Sequence, residues 1–323
     1  MSSSESRPTC IAAAVATYRR DQELRRLLDC VADSNVAVQG RVFVADNASS
    51  PETRDVCAQA RVPCIWLPQP ANKGPGPAWN EAIAKALANP DVTHVLVLDD
   101  DVVPATDTLA ILHAALKASG AAAAAPLLFD ESGLLWGFPE PRDVELRRVI
   151  RRINSPAQCR AAMGNEPHAF CWATGACMLY ARVAFDRCGF FREDFWMLGE
   201  DLEFSMRVAY ALGGVFTAAA SVQHLSPPSD PASSRLRHRL KFLALLQNLS
   251  FLAFRSPHSA HLKTYLAGNF KRYALTEGCA PATLLDAWKT FLNGALRGQP
   301  AGTPSGEHLR KRVERRLQKD RPE

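Results

Sequence analysis

The 323-residue sequence has no apolar run long enough to cross a membrane as a helix. Such a helix needs roughly 18 or more consecutive apolar residues. The segment Met1–Ser6 has neither the basic start nor the apolar core of a secretory signal. We therefore expect a cytoplasmic protein, either free or held peripherally at the inner face of a membrane. A content of 47% hydrophobic and 22% charged residues is typical of a folded chain.

Two common sequence patterns are also missing. The nine cysteines are scattered, and the closest pair, Cys171 and Cys177, does not have the spacing of a zinc site. We expect reduced, mostly buried thiols. No G-x-G-x-x-G motif follows a predicted strand, which argues against a dinucleotide-dependent oxidoreductase.

Three consecutive aspartates, Asp99, Asp100 and Asp101, follow the apolar run Val95–Leu98. We refer to these three residues as the Asp triplet. The run has the length and composition of a strand buried on both faces. Ligands of open α/β sheets bind at the carboxyl ends of strands, and carboxylates are preferred ligands of Mg²⁺ and Mn²⁺. The triplet predicts a metal site, with the cap of a helix after Pro104 as the alternative.

The first hundred residues alternate between predicted strands and helices. This alternation indicates βαβ units around a mostly parallel sheet, whose strands would end at one common edge. The segments expected at that edge are Thr17–Arg19, Asp46–Ser49, Asn72–Gly74 and the Asp triplet.

The later part of the chain is less regular. We expect a strand-rich stretch at Phe170–Tyr180, a helix at Gly199–Ala211, a strand at Val215–His224 and helices after Ser233. The segment Phe129–Ala169 has no clear periodicity, so we interpret it as an excursion or loop over the site. The predicted organisation is a disordered stretch at 1–9, a main domain at 10–228 that divides at 104, and a helical region at 229–323. Pro227–Pro231 is the candidate linker.

Several segments resemble, in order and spacing, the family 2 nucleotide-sugar glycosyltransferases, whose fold is the GT-A type. They are Val15–Arg20, Val44–Ser49, Asn72–Gly74 with Asn80, Leu98–Asp101, Ala173–Leu179, Cys188–Phe191 and Gly199–Phe204 with Arg207. The resemblance covers residues 10–225 and is nearest in character to rhamnosyl- and galactofuranosyltransferases. It implies an α/β, GT-A type Rossmann-like sheet with a C-terminal helical extension.

The resemblance implies that Mn²⁺ or Mg²⁺ binds at the Asp triplet. Asp101 would be a direct ligand, and Asp99 would face the ribose or a metal-bound water. The role of Asp100 is less defined. His224 would complete the metal shell, or it is a structural histidine.

The same resemblance implies a pocket for a UDP- or dTDP-linked sugar. Its residues would be Thr17, Tyr18, Arg19, Asp46, Asn72, Lys73, Gly74, Asp99 and Asp100. Asp46 would face the base and Lys73 a phosphate. Asp46 could equally be a turn former, and Asn72–Gly74 could be only a turn.

The resemblance places the catalytic base at Asp201, with Glu200 as the second candidate, in an inverting transfer. The alternative is that these acids only complement a helix N-terminus. Trp172 and Trp196 are candidate acceptor contacts or core residues. The other hypotheses are a sugar-1-phosphate nucleotidyltransferase and a non-catalytic nucleotide-sugar-binding protein.

We expect the acceptor to be a glycan, a lipid-linked sugar or a small molecule, and we expect no nucleic-acid partner. An apolar stripe favours packing or a homodimer, with membrane contact second. That stripe comprises Phe242, Leu245, Leu246, Leu249 and Leu252. Basic runs at Arg235–Arg239 and Arg310–Arg316 would suit an anionic surface, or they are solvated helix faces.

Overall fold

The computed structural model describes residues 8–225, 243–253, 262–263, 265–266, 286, 289–291, 293–294, 297–300 and 303–319. Contacts divide the chain into two compact units, one of Met1–Phe191 with Phe204–Pro227 and the other of Arg192–Glu203 with Pro228–Glu323. The domain boundaries expected from the sequence stay a prediction. The expectations for residues 1–7, Pro227–Pro231, Arg235–Arg239 and Phe242 fall outside the described residues.

Strands and helices alternate up to the fourth strand and follow a less regular order after it. The strands are β1 (Ile11–Thr17), β2 (Val42–Asp46), β3 (Cys64–Pro68), β4 (His94–Asp99), β5 (Val102–Pro104), β6 (Ala123–Phe129), β7 (Leu135–Gly137), β8 (Glu140–Pro141), β9 (His168–Trp172), β10 (Cys177–Ala181) and β11 (Gly214–His224). The helices are α1 (Asp21–Ala32), α2 (Pro51–Ala58), α3 (Pro75–Leu87), α4 (Thr108–Ser119), α5 (Val144–Ile150), α6 (Pro156–Met163), α7 (Arg182–Cys188) and α8 (Glu200–Leu212). Residues 243–253 and Pro304–Lys319 are also helical. No helix among the described residues is long and apolar enough to cross a membrane.

The strands form a mixed sheet in the order β3-β2-β1-β4-β10-β6-β11-β9-β8, with β5 beside β11 and β7 beside β6. The first four strands of this order are parallel, and β10 is antiparallel to β4. In the register, Thr17 pairs with Asp46 and Ala16 with Asp99. The carboxyl ends of β1, β2 and β4 therefore lie at one edge, as the sequence predicted.

Two apolar layers cover the two faces of the sheet. Alternate residues of β4 enter different layers, since Val95 and Val97 pack on the α3 side whereas Leu96 and Leu98 pack on the α1 side. The strand has no polar face because both of its faces are buried. This burial confirms the interpretation of the apolar run that precedes the Asp triplet.

Two sequence expectations need correction. The sequence predicts a helix over Ala78–Ala88 that Pro77 opens, whereas α3 begins at Pro75, because proline is tolerated in the first helical turn. The segment Phe129–Ala169 is not a plain loop, since it contains β7, β8, α5 and α6. These elements are two to eight residues long, too short to show a periodic pattern.

Asn80 on α3 connects two of the segments that carry the family resemblance. Its side-chain amide donates to the Phe191 carbonyl at 2.9 Å, and its carbonyl oxygen accepts from the Phe191 N–H at 3.0 Å. We expect Asn80→Ala to lower the free energy of unfolding by about 2–4 kcal/mol, because two buried backbone groups lose their partner. Denaturant unfolding measures this loss. The matched control Asn89→Ala removes an exposed turn contact, and an equal loss in both variants would contradict the assignment.

Candidate functional site

The Asp triplet lies where β4 ends, and two of its three carboxylates are buried. Asp100 is 5% exposed and Asp101 is 8% exposed. A buried carboxylate is costly unless hydrogen bonds or opposite charges compensate it. The neighbouring side chains therefore determine whether each carboxylate is already compensated by the protein or is available to bind a ligand.

Asp100 is fully engaged by the loop that follows β1. Thr17 Oγ1 donates to its Oδ2 at 2.7 Å, and Arg20 Nη1 donates to its Oδ1 at 2.9 Å. Burial raises the pKa of Asp100 to about 6, with Asp101 adding to the rise and Arg20 and Thr17 opposing it. With both oxygens occupied by protein donors, Asp100 anchors the loop after β1 to the end of β4.

Asp101 has one occupied and one available oxygen. Arg20 also donates to Asp101 Oδ2, while the buried Oδ1 accepts no hydrogen bond from any described residue. His224 Nε2 lies 3.6 Å from this Oδ1. Because β5 pairs antiparallel with β11, with Val102 opposite His224, backbone pairing holds the histidine beside the triplet.

One ligand atom each from Asp99, Asp101 and His224 can be chosen so that all three lie within 4.8 Å of one another. Two carboxylates and one imidazole form a donor set that suits a divalent cation. The Oδ1 atom of Asp101 accepts no hydrogen bond from the described residues, so it is available as a ligand atom. This set therefore fits a divalent metal, and Asp100 is not part of it.

Trp136 on β7 was not found by the sequence reasoning, although it lies beside a predicted ligand. Its ring stacks on the His224 ring with centroids 3.9 Å apart and an interplanar angle of 10°. The sequence provided only an indirect indication of Trp136. It placed the whole segment Phe129–Ala169 over the site but identified no individual residue within it. Arg20 was also missed as a site residue, although three adjacent acids require a positive partner.

Asp46 at the end of β2 is fully buried. Its Oδ1 accepts from the Ala48 N–H, and its Oδ2 accepts from the Ser50 N–H and from Trp66 Nε1. These bonds support the turn-forming interpretation. Recognition of the base by Asp46 stays a prediction.

The remaining residues at this edge differ in exposure. Tyr18 and Arg19 are exposed, and Arg19 has a positive φ of 56°. Asn72 Oδ1 accepts from the Gly74 N–H at 3.0 Å, which forms a turn just before α3. Lys73 lies between them and is exposed, and no ion pair with it is found among the described residues. Its ammonium group is therefore accessible to an anionic ligand from solvent.

The family model described as glycosyl transferase family 2 matches residues 13–189, which is more than half of the chain. The chain belongs to glycosyltransferase family 2. The family resemblance inferred from the motifs is confirmed.

Individual relatives agree with this assignment. The N-acetylglucosaminyl-diphospho-decaprenol L-rhamnosyltransferase of Mycobacterium tuberculosis is 29% identical over 247 residues, covering 69% of this chain and 79% of the relative. TarS of S. aureus, solved with UDP, has a TM-score of 0.59 at 15% identity and covers 97% of this chain and 88% of its own. The mannosyltransferase PcManGT of Pyrobaculum calidifontis, solved with GDP-Man and Mn²⁺, has a TM-score of 0.55 at 18% identity and covers 98% and 88%. These structures show a common fold and confirm the predicted GT-A class.

This family 2 glycosyltransferase uses a nucleotide-sugar donor, as the sequence predicted. Its acidic set at the end of β4 is suited to a divalent metal. The nucleotidyltransferase hypothesis is set aside by the family assignment. The individual roles of the site residues stay predictions.

The candidate bases of this glycosyltransferase lie in the second unit. Glu200 and Asp201 are in the first turn of α8, and Asp201 Oδ1 accepts from the Leu202 N–H at 2.7 Å. The preceding turn is held by Asn248, whose amide donates to the Leu198 carbonyl at 2.9 Å. This bond helps to define where α8 begins.

The two predicted acceptor tryptophans have different environments. Trp172, in the first unit, is only 5% exposed, which favours the core interpretation. Trp196, in the second unit, is half-buried, and the Arg310 guanidinium lies 4.8 Å from its ring centroid. Acceptor contact by either residue stays a prediction.

We expect Asp101→Asn to weaken Mn²⁺ binding by about tenfold or more, a loss of ~1.4 kcal/mol, because it removes the charge of a ligand oxygen. Electron paramagnetic resonance of free Mn²⁺ measures the affinity without any turnover. Asp100→Asn is the matched control, since its oxygens are held by Thr17 and Arg20. An equal loss of Mn²⁺ affinity in the two variants would contradict the assignment of Asp101 as a metal ligand and Asp100 as a structural residue.

Proposed function

We propose that this glycosyltransferase moves a sugar, with inversion, from a UDP- or dTDP-linked donor to a hydroxyl of a lipid-linked diphosphate sugar. The acceptor class is suggested by the name of the mycobacterial relative, which acts on N-acetylglucosaminyl-diphospho-decaprenol. The observation that carries the proposal is the convergence of Asp99, Asp101 and His224 at the end of β4.

We propose Mn²⁺ rather than Mg²⁺ as the metal. Mg²⁺ prefers a shell made only of oxygen ligands, whereas the set here includes the imidazole of His224. When bound, the ion would act as a Lewis acid that neutralises the leaving diphosphate. Arg20 keeps Asp101 Oδ2 engaged, so that Oδ1 stays turned toward His224.

In the proposed donor site, three loops bind the nucleotide. They are the loop after β1, the loop after β2 and the loop before α3. Lys73 is exposed and positively charged, so it can approach a phosphate oxygen. The exposed Tyr18–Arg19 backbone lies next to Thr17, which is itself tied to Asp100. The residues that contact the donor would thereby be adjacent in sequence to Thr17, which donates a hydrogen bond to Asp100.

Asp201 is the proposed base. The acceptor oxygen would form a bond to the anomeric carbon as the bond to the diphosphate oxygen breaks, and the hydroxyl proton would pass to Asp201. The hydrogen bond from the Leu202 N–H and the helix N-terminus both favour the charged carboxylate. Such a carboxylate is a weak base, so proton transfer would follow development of the oxocarbenium-like centre.

We expect Asp201→Asn to lower kcat by about 100- to 10,000-fold while donor binding is retained, because only proton acceptance is lost. Initial rates and donor titration calorimetry separate the two effects. Glu203→Gln is the control, since it changes an acid on the same turn of α8. Unchanged kcat with weaker donor binding would exclude Asp201 as the base.

The donor class can be tested without knowing the acceptor. Thermal unfolding would be followed with UDP-, dTDP- and GDP-sugars, each with and without Mn²⁺. A ligand at 100 times its Kd stabilises the native state by about 2.7 kcal/mol, so a metal-dependent rise in Tm for UDP- or dTDP-sugars is expected. A rise with GDP-sugars alone would contradict the donor proposal, and no rise with any donor would favour a non-catalytic role.

A further inference from the structure

Trp136 is both exposed to solvent and stacked on a side chain of the candidate site. It is 50% exposed, the largest exposed fraction among the large apolar side chains described. It is also stacked almost parallel on the ring of His224. His224 covers one face of the indole, so the exposed half of Trp136 lies away from His224, and the opposite face is the one left for a ligand.

The backbone around Trp136 is well held. Strand β7 pairs with β6, with Gly137 opposite Leu128. The Leu135 N–H donates to the Asn154 carbonyl at 2.7 Å, which connects β7 to the segment after α5. An exposed aromatic ring on a paired strand loses little conformational freedom when a ligand binds to it.

The sheet order indicates which substrate this ring would meet. Strands β2 and β1, which carry the proposed nucleotide loops, lie on one side of β4. Strand β11, which carries His224, and strand β6, which pairs with the Trp136 strand β7, lie on the other side. The diphosphate end of the donor is expected at β4 itself, so the Trp136 side of the Asp triplet is left for the acceptor.

We propose that the open face of Trp136 stacks on the sugar ring of the acceptor and determines acceptor specificity. The proposal rests on the proposed function, because it requires an acceptor that carries a sugar. Axial C–H groups give one face of a pyranose an apolar character, and the π face of an indole is complementary to it. Trp172, which the sequence suggested for this role, is buried and presents no such face.

The test compares Trp136→Ala and Trp136→Tyr with the wild type. The acceptor probe is a short-chain polyprenyl diphosphate that carries N-acetylglucosamine. We expect Trp136→Ala to raise the acceptor KM about tenfold and to leave the donor KM unchanged. Trp136→Tyr keeps an aromatic face and should restore the acceptor KM to within about threefold of wild type.

Two controls separate sugar contact from other roles. Leu134→Ala removes an apolar side chain of similar exposure in the same hairpin, and an equal rise in acceptor KM there would overturn the proposal. Mn²⁺ affinity is measured in every variant. If it falls in parallel with activity in Trp136→Ala, Trp136 acts only by positioning His224 and the sugar contact is overturned.

A readout that needs no turnover distinguishes failure of this inference from failure of the proposed function. Tryptophan fluorescence would be followed during titration with methyl N-acetyl-β-glucosaminide. We expect an emission change in the wild type that is lost in Trp136→Tyr. If both proteins respond alike, the sugar does not stack on Trp136, whatever the transfer assay gives.

Discussion

Three adjacent carboxylates at the end of one buried strand impose the constraint on which the rest of the site depends. Their mutual repulsion and the cost of burying Asp100 and Asp101 must be compensated locally. Arg20 bridges both residues, and Thr17 donates to Asp100. This protein-supplied compensation is incomplete, because Asp101 Oδ1 has no donor among the described residues. The uncompensated Oδ1 lies 3.6 Å from His224 Nε2 and is suited to bind a divalent metal.

The core makes this arrangement rigid. Strand β1 is buried along its whole length, and β4 lies between β1 and β10. Trp79 of α3 donates from Nε1 to the Leu98 carbonyl at 3.1 Å, one residue before the Asp triplet. These contacts hold the backbone at the strand end and limit how far the carboxylates that follow can separate. Close packing of the two apolar layers therefore keeps the acids close enough together to bind one ion.

Local patterns were sufficient to predict the strands and helices of the first hundred residues and the acidic edge, because burial on both faces and helical periodicity are visible in consecutive residues. They missed the short elements within Phe129–Ala169. The same patterns could not identify Trp136, which meets His224 only because β7 pairs with β6 and β6 with β11. Arg20 was within a recognised motif, yet its partner lies 80 residues away. Such contacts depend on strand order, and a single sequence does not determine that order. Family resemblance named Asp201, but composition alone would have assigned it to the helix terminus.

The charge balance of the site links metal and donor binding. Arg20 forms ion pairs with Asp100 and Asp101, so the protein itself compensates part of the negative charge of the Asp triplet. A nucleotide diphosphate is itself an anion, and carboxylates that face it would oppose its approach. A dication bound beside Asp101 Oδ1 would offset this repulsion, so each ligand would raise the affinity for the other by the same factor. Arg20 would contribute to this coupling, because its loss would leave the Asp100 and Asp101 carboxylates without their guanidinium partner.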